Sequence, residues 1–201
     1  AAVGALVAEL ARGLSGVAEL AFYEAFRGFR AGAPQGEAYR RFVLASLEDG
    51  LASLFLAHPR LARDLARIVE TWIRSSQLLV ERVERDRREI GEHFAGGVEP
   101  GRVSGILPGL SDRHAGGLTV ARLEFASGLT VLYKPREVAL ERAFHELVSW
   151  CRGQGMPSCP PSLRVLDRGE YGWQQAAESG RFEDAESIGA YYRCAGGLLC
   201  L

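Results

Sequence analysis

Residues 59–90, PRLARDLARIVETWIRSSQLLVERVERDRREI, constrain the fold more than any other stretch. Leu61, Leu65, Ile68, Val69, Trp72, Ile73, Leu79, Val80 and Val83 recur at helical spacing and predict one helix from Pro59 to about Ile90, with these residues as its buried stripe. A proline is tolerated in a first helical turn, where its missing N–H would have no partner. The other face carries Arg63, Arg67, Glu70, Arg74, Glu81, Glu84 and Arg85. The run Arg82–Arg88 alternates in sign and reads as a solvated helical face, not a nucleic-acid patch. At Gly91 the composition changes abruptly, so the chain is helical before that point and something else after it.

Upstream, Val3, Leu6, Val7, Leu10, Leu14 and Val17 also follow helical spacing, and RAGAPQGEA at 30–38 breaks the pattern. Downstream, Gly96, Gly97, Pro100, Gly101, Gly105, Pro108 and Gly109 exclude helix and predict short, irregular strands. SDRHAGG at 111–117 is a polar loop ending in two glycines. LTVARLEF and LTVLYK follow as two β-branched strands joined by Ala126-Ser127-Gly128, a hairpin turn with glycine where a left-handed residue is wanted. That turn sets Phe125 across from Leu129, Leu123 across from Val131 and Val120 across from Lys134. VALERAFHELVSWC is an amphipathic helix with Leu140, Ala143, Phe144, Leu147, Val148 and Cys151 on one face. SLRVLDR and YGWQQA predict two more strands around the turn Gly169-Glu170, and a last helix starts near Asp184.

The expected fold class is α+β. Residues 1–95 form a helical segment, 96–183 an antiparallel sheet with one helix, and 184–201 the start of a further helix. This order is the plan of the small lobe of a protein or lipid kinase, ending where a large lobe should begin. Tyr171, Trp173, Trp72 and Trp150 are assigned to packing. His58 precedes a helix, His93 ends one, and His145 lies on a helix surface.

Hydrophobic residues make up 47% and charged residues 24%, the balance of a globular protein. A net charge of −1 gives no bulk attraction to nucleic acid or an acidic membrane. No apolar run approaches the roughly 18 residues of a membrane span. The start, AAVGALVAELARGL, is interrupted by Glu9 and Arg12 and makes a poor signal peptide. Cys151, Cys159, Cys194 and Cys200 form no CxxC pair, and no histidine falls where a zinc site needs one, so they read as reduced thiols of a cytoplasmic protein. The absence of a first methionine and the apolar end GGLLCL read as a piece of a longer protein, with an exposed apolar surface at 188–201.

Lys134 is the lone lysine among 24 lysines and arginines. An arginine-rich genome explains the bias but not the exception. A lysine is a compact point charge suited to one phosphate oxygen, whereas arginine offers a broad planar fork. The hairpin register places Lys134 beside the strand that starts three residues after Gly117, next to the glycine-ended loop. Backbone N–H groups of such a loop can cradle phosphate oxygens, and a lysine adds the matching charge. Glu141 and Glu146, on the helix that follows, are the candidates to pair with it.

SDRHAGG, FASGLTVLYKPR and RVLDRGEYGW, with HPRLARDLARIVETWI before them and YYRCAGGLLCL after, resemble the dehydratase domain of class II lanthipeptide synthetases over residues from about 39 to 201. The resemblance implies a kinase-like dehydratase fused to a zinc-dependent cyclase. Such a dehydratase uses ATP and Mg2+ to phosphorylate Ser and Thr of a ribosomal precursor peptide and then eliminates the phosphate. Carried over residue by residue, it places Asp112 and His114 on the nucleotide loop with Gly116 and Gly117, and Lys134 on the ATP phosphates. The family's catalytic loop, Asp-x-His-x-x-Asn, and its magnesium aspartate have no counterpart in the chain, so residues 1–201 alone are expected to be inactive. After YGW the family commonly has an acidic residue and a phenylalanine, where this chain reads QQAA.

Other readings stay open beside this one. The chain contains neither a Walker sequence nor GxGxxG. Ser111, His114 and Asp112 lie too close in one loop for a hydrolytic triad. A non-catalytic module binding a peptide or partner protein is the alternative, and a lipid- or small-molecule kinase lobe rests on fold analogy alone.

Overall fold

The computed structural model describes residues 2–32, 36–112, 117–156, 160–177 and 184–199. Six helices and five strands follow in order: α1 (Ala2–Arg30), α2 (Ala38–Glu48), α3 (Ala52–Ala57), α4 (Pro59–Phe94), β1 (Val103–Leu107), β2 (Ala121–Phe125), β3 (Thr130–Lys134), α5 (Ala139–Gly153), β4 (Val165–Asp167), β5 (Gly172–Gln175) and α6 (Ala185–Leu198). The fold is α+β, helical first and then a five-stranded antiparallel sheet in the order β1-β2-β3-β5-β4. Two compact units divide the chain, Leu6–Leu79 and Val80–Leu201 with Ala1–Ala5. Among the described residues no helix is long and apolar enough to cross a membrane.

The unit Leu6–Leu79 is built from α1 to α3 and the first half of α4. Phe26 and Phe29 each meet the Phe42 ring, tilted and edge-on, at 5.5 and 5.6 Å between centroids, and Tyr39 joins Phe26 edge-on. Trp72 donates its indole N–H to the Leu6 carbonyl at 2.9 Å, so its packing role comes with a polar anchor. The expected stripes are narrower than their spacing implied. Val3, Val7 and Val17 of α1 are exposed, as are Ile73 and Val80 of α4, because an ideal helical stripe covers more arc than its neighbours bury. All seven charged residues expected outside are outside.

The unit holding the sheet has its core on one face of it. Ala121, Leu123 and Phe125 of β2 share that face with Val131 and Tyr133 of β3 and Trp173 of β5, all buried, as strand alternation requires. The hairpin has the expected register: Leu123 opposes Val131, Phe125 N–H bonds the Leu129 carbonyl, and Gly128 takes a φ of 87°. The second half of α4 serves this face with Val83, Asp86, Ile90 and Phe94, all buried. Its last carbonyls, on His93 and Phe94, accept from the Arg164 guanidinium at 2.9 and 2.8 Å, which satisfies the end of a 36-residue helix.

Helix α5 is rotated from its expected orientation. Leu140 is 82% exposed, Phe144, Leu147 and Trp150 are also exposed, and only Val148 and Cys151 of the predicted face are buried. The packing role expected for Trp150 is therefore corrected. The rotation follows from two polar anchors, Glu141 and His145, which turn their side of the helix towards the sheet. Helix α6 starts where expected, and Asp184 caps it, accepting from Ser187 N–H at 2.7 Å within a capping box. Ile188, Tyr191, Tyr192 and Leu199 of that end are exposed, in line with the apolar surface read from the sequence. Cys151 and Cys194 are free thiols, and Cys159 and Cys200 lie outside the described residues.

Candidate functional site

The second face of the sheet is polar. Arg122 and Glu124 of β2, Thr130, Leu132 and Lys134 of β3, and Gly172 and Gln174 of β5 alternate with the core residues and share it. Lys134 ends β3 opposite Gly172. Glycine is required there: a Cβ would lie 2.2 Å from Val138 Cγ2 and 2.9 Å from the Leu166 carbonyl oxygen. The missing side chain lets the entry to α5 lie against the strand beside the lysine.

Lys134 Nζ lies 3.3 Å from Glu141 Oε1, with the two side chains 15% and 23% exposed. Of the two glutamates considered as its partner, Glu141 makes the contact; Glu146 is exposed and lies 3.9 Å from Arg142. Arg136 Nη2 reaches the same Glu141 oxygen at 2.5 Å. Burial works to raise the Glu141 carboxyl, but the hydrogen bond from Arg136 and the charges of Lys134 and Arg136 outweigh it and hold it below its ordinary 4.5. His145, one turn further along α5, is half-buried, which corrects its assignment to the helix surface. Its Nδ1 accepts from Leu163 N–H at 3.2 Å, and its Nε2 faces the Gln174 amide at 3.5 Å. Burial, and then the nearby Lys134 charge, keep it below its ordinary 6.5, against a smaller upward pull from Glu141.

The described ends of the loop between β1 and β2 are tied to one another. Leu110 N–H bonds the Val120 carbonyl at 3.0 Å, Val120 N–H bonds Ser111 Oγ at 3.0 Å, and Gly109 N–H reaches Thr119 Oγ1 at 3.3 Å. Val120 is one register step beyond the Ala121–Tyr133 pair, hence beside Lys134. Ser111 also donates to the Asp112 carbonyl at 2.9 Å, so its hydroxyl serves to close the loop. Asp112 is exposed, and Gly117 takes a φ of 81°. His114 and Gly116 lie outside the described residues.

Sequence reasoning missed the cluster beneath the opposite face. Asp86 is 0% exposed, not part of a solvated run. Its Oδ2 accepts from Tyr171 Oη–H and Trp173 Nε1–H, both at 2.7 Å, and its Oδ1 lies 3.0 Å from Arg168 Nη2. Arg168 also bonds Glu89 at 2.6 Å. Arg82 donates to Tyr133 Oη at 2.6 Å and stacks 4.1 Å above the Tyr171 ring. Burial raises both tyrosines above their ordinary 10.0, so each stays a neutral donor or acceptor. The one available signal was chemical: Tyr171 and Trp173, assigned to the core, each carry a polar hydrogen that needs a buried acceptor.

Fold and site together define an α+β chain whose antiparallel sheet is bolted to a long helix on one face and carries a lysine–glutamate pair on the other. The chain belongs to the family described as Domain of unknown function (DUF4135), whose model matches residues 58–201, and this domain is found in lanthipeptide synthetases. No curated protein matches it.

Proposed function

We propose that the sheet unit is the nucleotide-binding small lobe of a lanthipeptide dehydratase, in which Lys134 holds the phosphates of ATP. The carrying observation is the Lys134–Glu141 contact at 3.3 Å between β3 and the helix after it. In protein kinases a β3 lysine and an acid on the next helix form this pair, and the lysine meets the nucleotide phosphates. The residues present fit such a group: a largely buried cation, and a loop pinned beside it whose last glycine has the backbone freedom to approach a phosphate. Asp112, His114, Gly116 and Gly117 shape that loop in this reading, and the long amphipathic helix backs the sheet. Mg2+ would accompany the ATP and neutralise its phosphates; we assign it no ligand among the described residues.

In the larger assembly implied by the family, the phosphate would pass to Ser and Thr hydroxyls of a ribosomal precursor peptide and then be eliminated. A large lobe and a zinc-dependent cyclase are the partners this requires, in the cytoplasm. Binding and positioning of the nucleotide are the tasks assigned to residues 1–201. The test is the thermal midpoint of the chain with and without Mg-ATP, for wild type and Lys134→Ala. A rise with wild type that disappears in the variant is expected. No rise, or an equal rise in both, would overturn the assignment and favour a module that binds a peptide or partner without nucleotide.

A further inference from the structure

Two cations converge on one carboxylate oxygen in this site. Glu141 Oε1 lies 2.5 Å from Arg136 Nη2 and 3.3 Å from Lys134 Nζ. Among the described residues Glu141 is the carboxylate within ion-pair distance of either. Arg136 also donates through Nη1 to the Glu137 carbonyl at 3.1 Å, which anchors its guanidinium in the segment between β3 and α5. The short contact belongs to the arginine and the long one to the lysine. A guanidinium stays charged under all ordinary conditions, so this division of the carboxylate does not change with pH near neutrality. The set of three carries a net charge of +1, and the incompletely neutralised member is the one whose side chain is largely buried.

We infer that Arg136 keeps Lys134 available to an anionic ligand by taking Glu141 as its own close partner. The inference rests on the polyphosphate reading above and deepens it: Arg136 is a positioning residue that acts through Glu141. With Arg136 removed, Glu141 turns wholly to Lys134. With that carboxylate no longer shared, the ammonium is more fully neutralised and attracts a phosphate less strongly.

The experiment is calorimetric titration of the 201-residue chain with Mg-ATP, with circular dichroism as the check on folding. Arg136→Ala is expected to weaken binding about three- to five-fold, the size of a partly exposed ion-pair contribution. Arg136→Lys restores most of it. In a Glu141→Gln background, where the carboxylate is gone, Arg136→Ala has no further effect. A role in packing alone, or direct attraction between Arg136 and the ligand, would leave its effect in place in that background. Wild-type affinity in Arg136→Ala, or an undiminished effect in the Glu141→Gln background, overturns the inference and leaves the phosphate reading standing. Should Arg136→Ala fail to fold, Arg136→Gln takes its place in the cycle. Absence of binding by wild type, or full binding by Lys134→Ala, removes the phosphate reading and this inference with it.

Discussion

Replacing Asp86 by alanine should unfold the sheet unit more readily than any other single change of similar size on α4. The carboxylate is fully buried; it accepts from Tyr171 and Trp173 at 2.7 Å each and forms an ion pair with Arg168 at 3.0 Å. Removing it leaves a buried hydroxyl and a buried indole N–H without an acceptor, each costing about 1–3 kcal/mol. Arg168 keeps Glu89 and is partly solvated, so its loss is smaller. The sum is about 3–5 kcal/mol, in the range found when one partner of a buried ionic network is deleted. For a unit of this size that is a fall in thermal midpoint of roughly 10–20 °C. Asp86→Asn keeps the shape and one acceptor oxygen, and should cost about half as much. The assay is thermal and urea unfolding followed by near-ultraviolet circular dichroism, to which the buried Trp173 contributes. The reasoning fails if Asp86→Ala melts within about 3 °C of wild type, because the acceptor of two buried donors cannot be lost so cheaply.

Other outcomes follow from the opposite face. Gly172→Ala forces a methyl to within 2.2 Å of buried Val138, and should destabilise by about 3 kcal/mol in urea melts; a neutral result would mean that the entry to α5 is free to move. Glu141 is held below its ordinary 4.5, so its contribution to stability is complete above that pH and is lost as pH falls through its lower folded value. Glu141→Gln should therefore flatten the acid side of the stability profile, and an unchanged acid limb would exclude a paired Glu141. His145 should titrate below 6.5 by NMR, and Lys134→Ala should move its midpoint upward by removing one of the two causes of the depression. A midpoint indifferent to Lys134 would place that charge elsewhere.

The parts legible in the sequence were those set by local chemistry. The turn Ala126-Ser127-Gly128 determined the hairpin register because loop length and a glycine at φ 87° leave few alternatives. The lone lysine could be placed beside the start of its partner strand because its strand position follows from that register. The parts not legible depended on partners far along the chain. In the run Arg82–Arg88 every residue is charged except Val83, and charge alone makes each look solvated. Which one turns inward is decided by Tyr171 and Trp173, 85 and 87 positions away from Asp86. The orientation of α5 was misjudged for a related reason. Leu140, Phe144 and Leu147 make the better apolar stripe, but Glu141 and His145 have specific partners in Lys134 and Leu163, and those partners determine the rotation. Arg136 carried no signal of its own, since it is one of many arginines until its distance to Glu141 is known.

The two faces are not independent, because consecutive residues of a strand must point opposite ways. Tyr133 and Lys134 are neighbours, as are Gly172 and Trp173 across from them. Tyr133 is held by Arg82 at 2.6 Å and packs 5.2 Å from the Trp173 ring, while Trp173 is tied to Asp86. A slip of one residue in β3 would bring Lys134 into the core and Tyr133 to the polar face, leaving a buried ammonium without its carboxylate. The apolar and aromatic face thus defends the register that presents the lysine. Lys134 needs no rigid surroundings of its own: its backbone is placed by the residue before it, and its ammonium is left to Glu141. On this argument Asp86, though on the far side of the sheet, determines where Lys134 stands. If Lys134 holds phosphate as proposed, loosening Asp86 should weaken that contact without touching it.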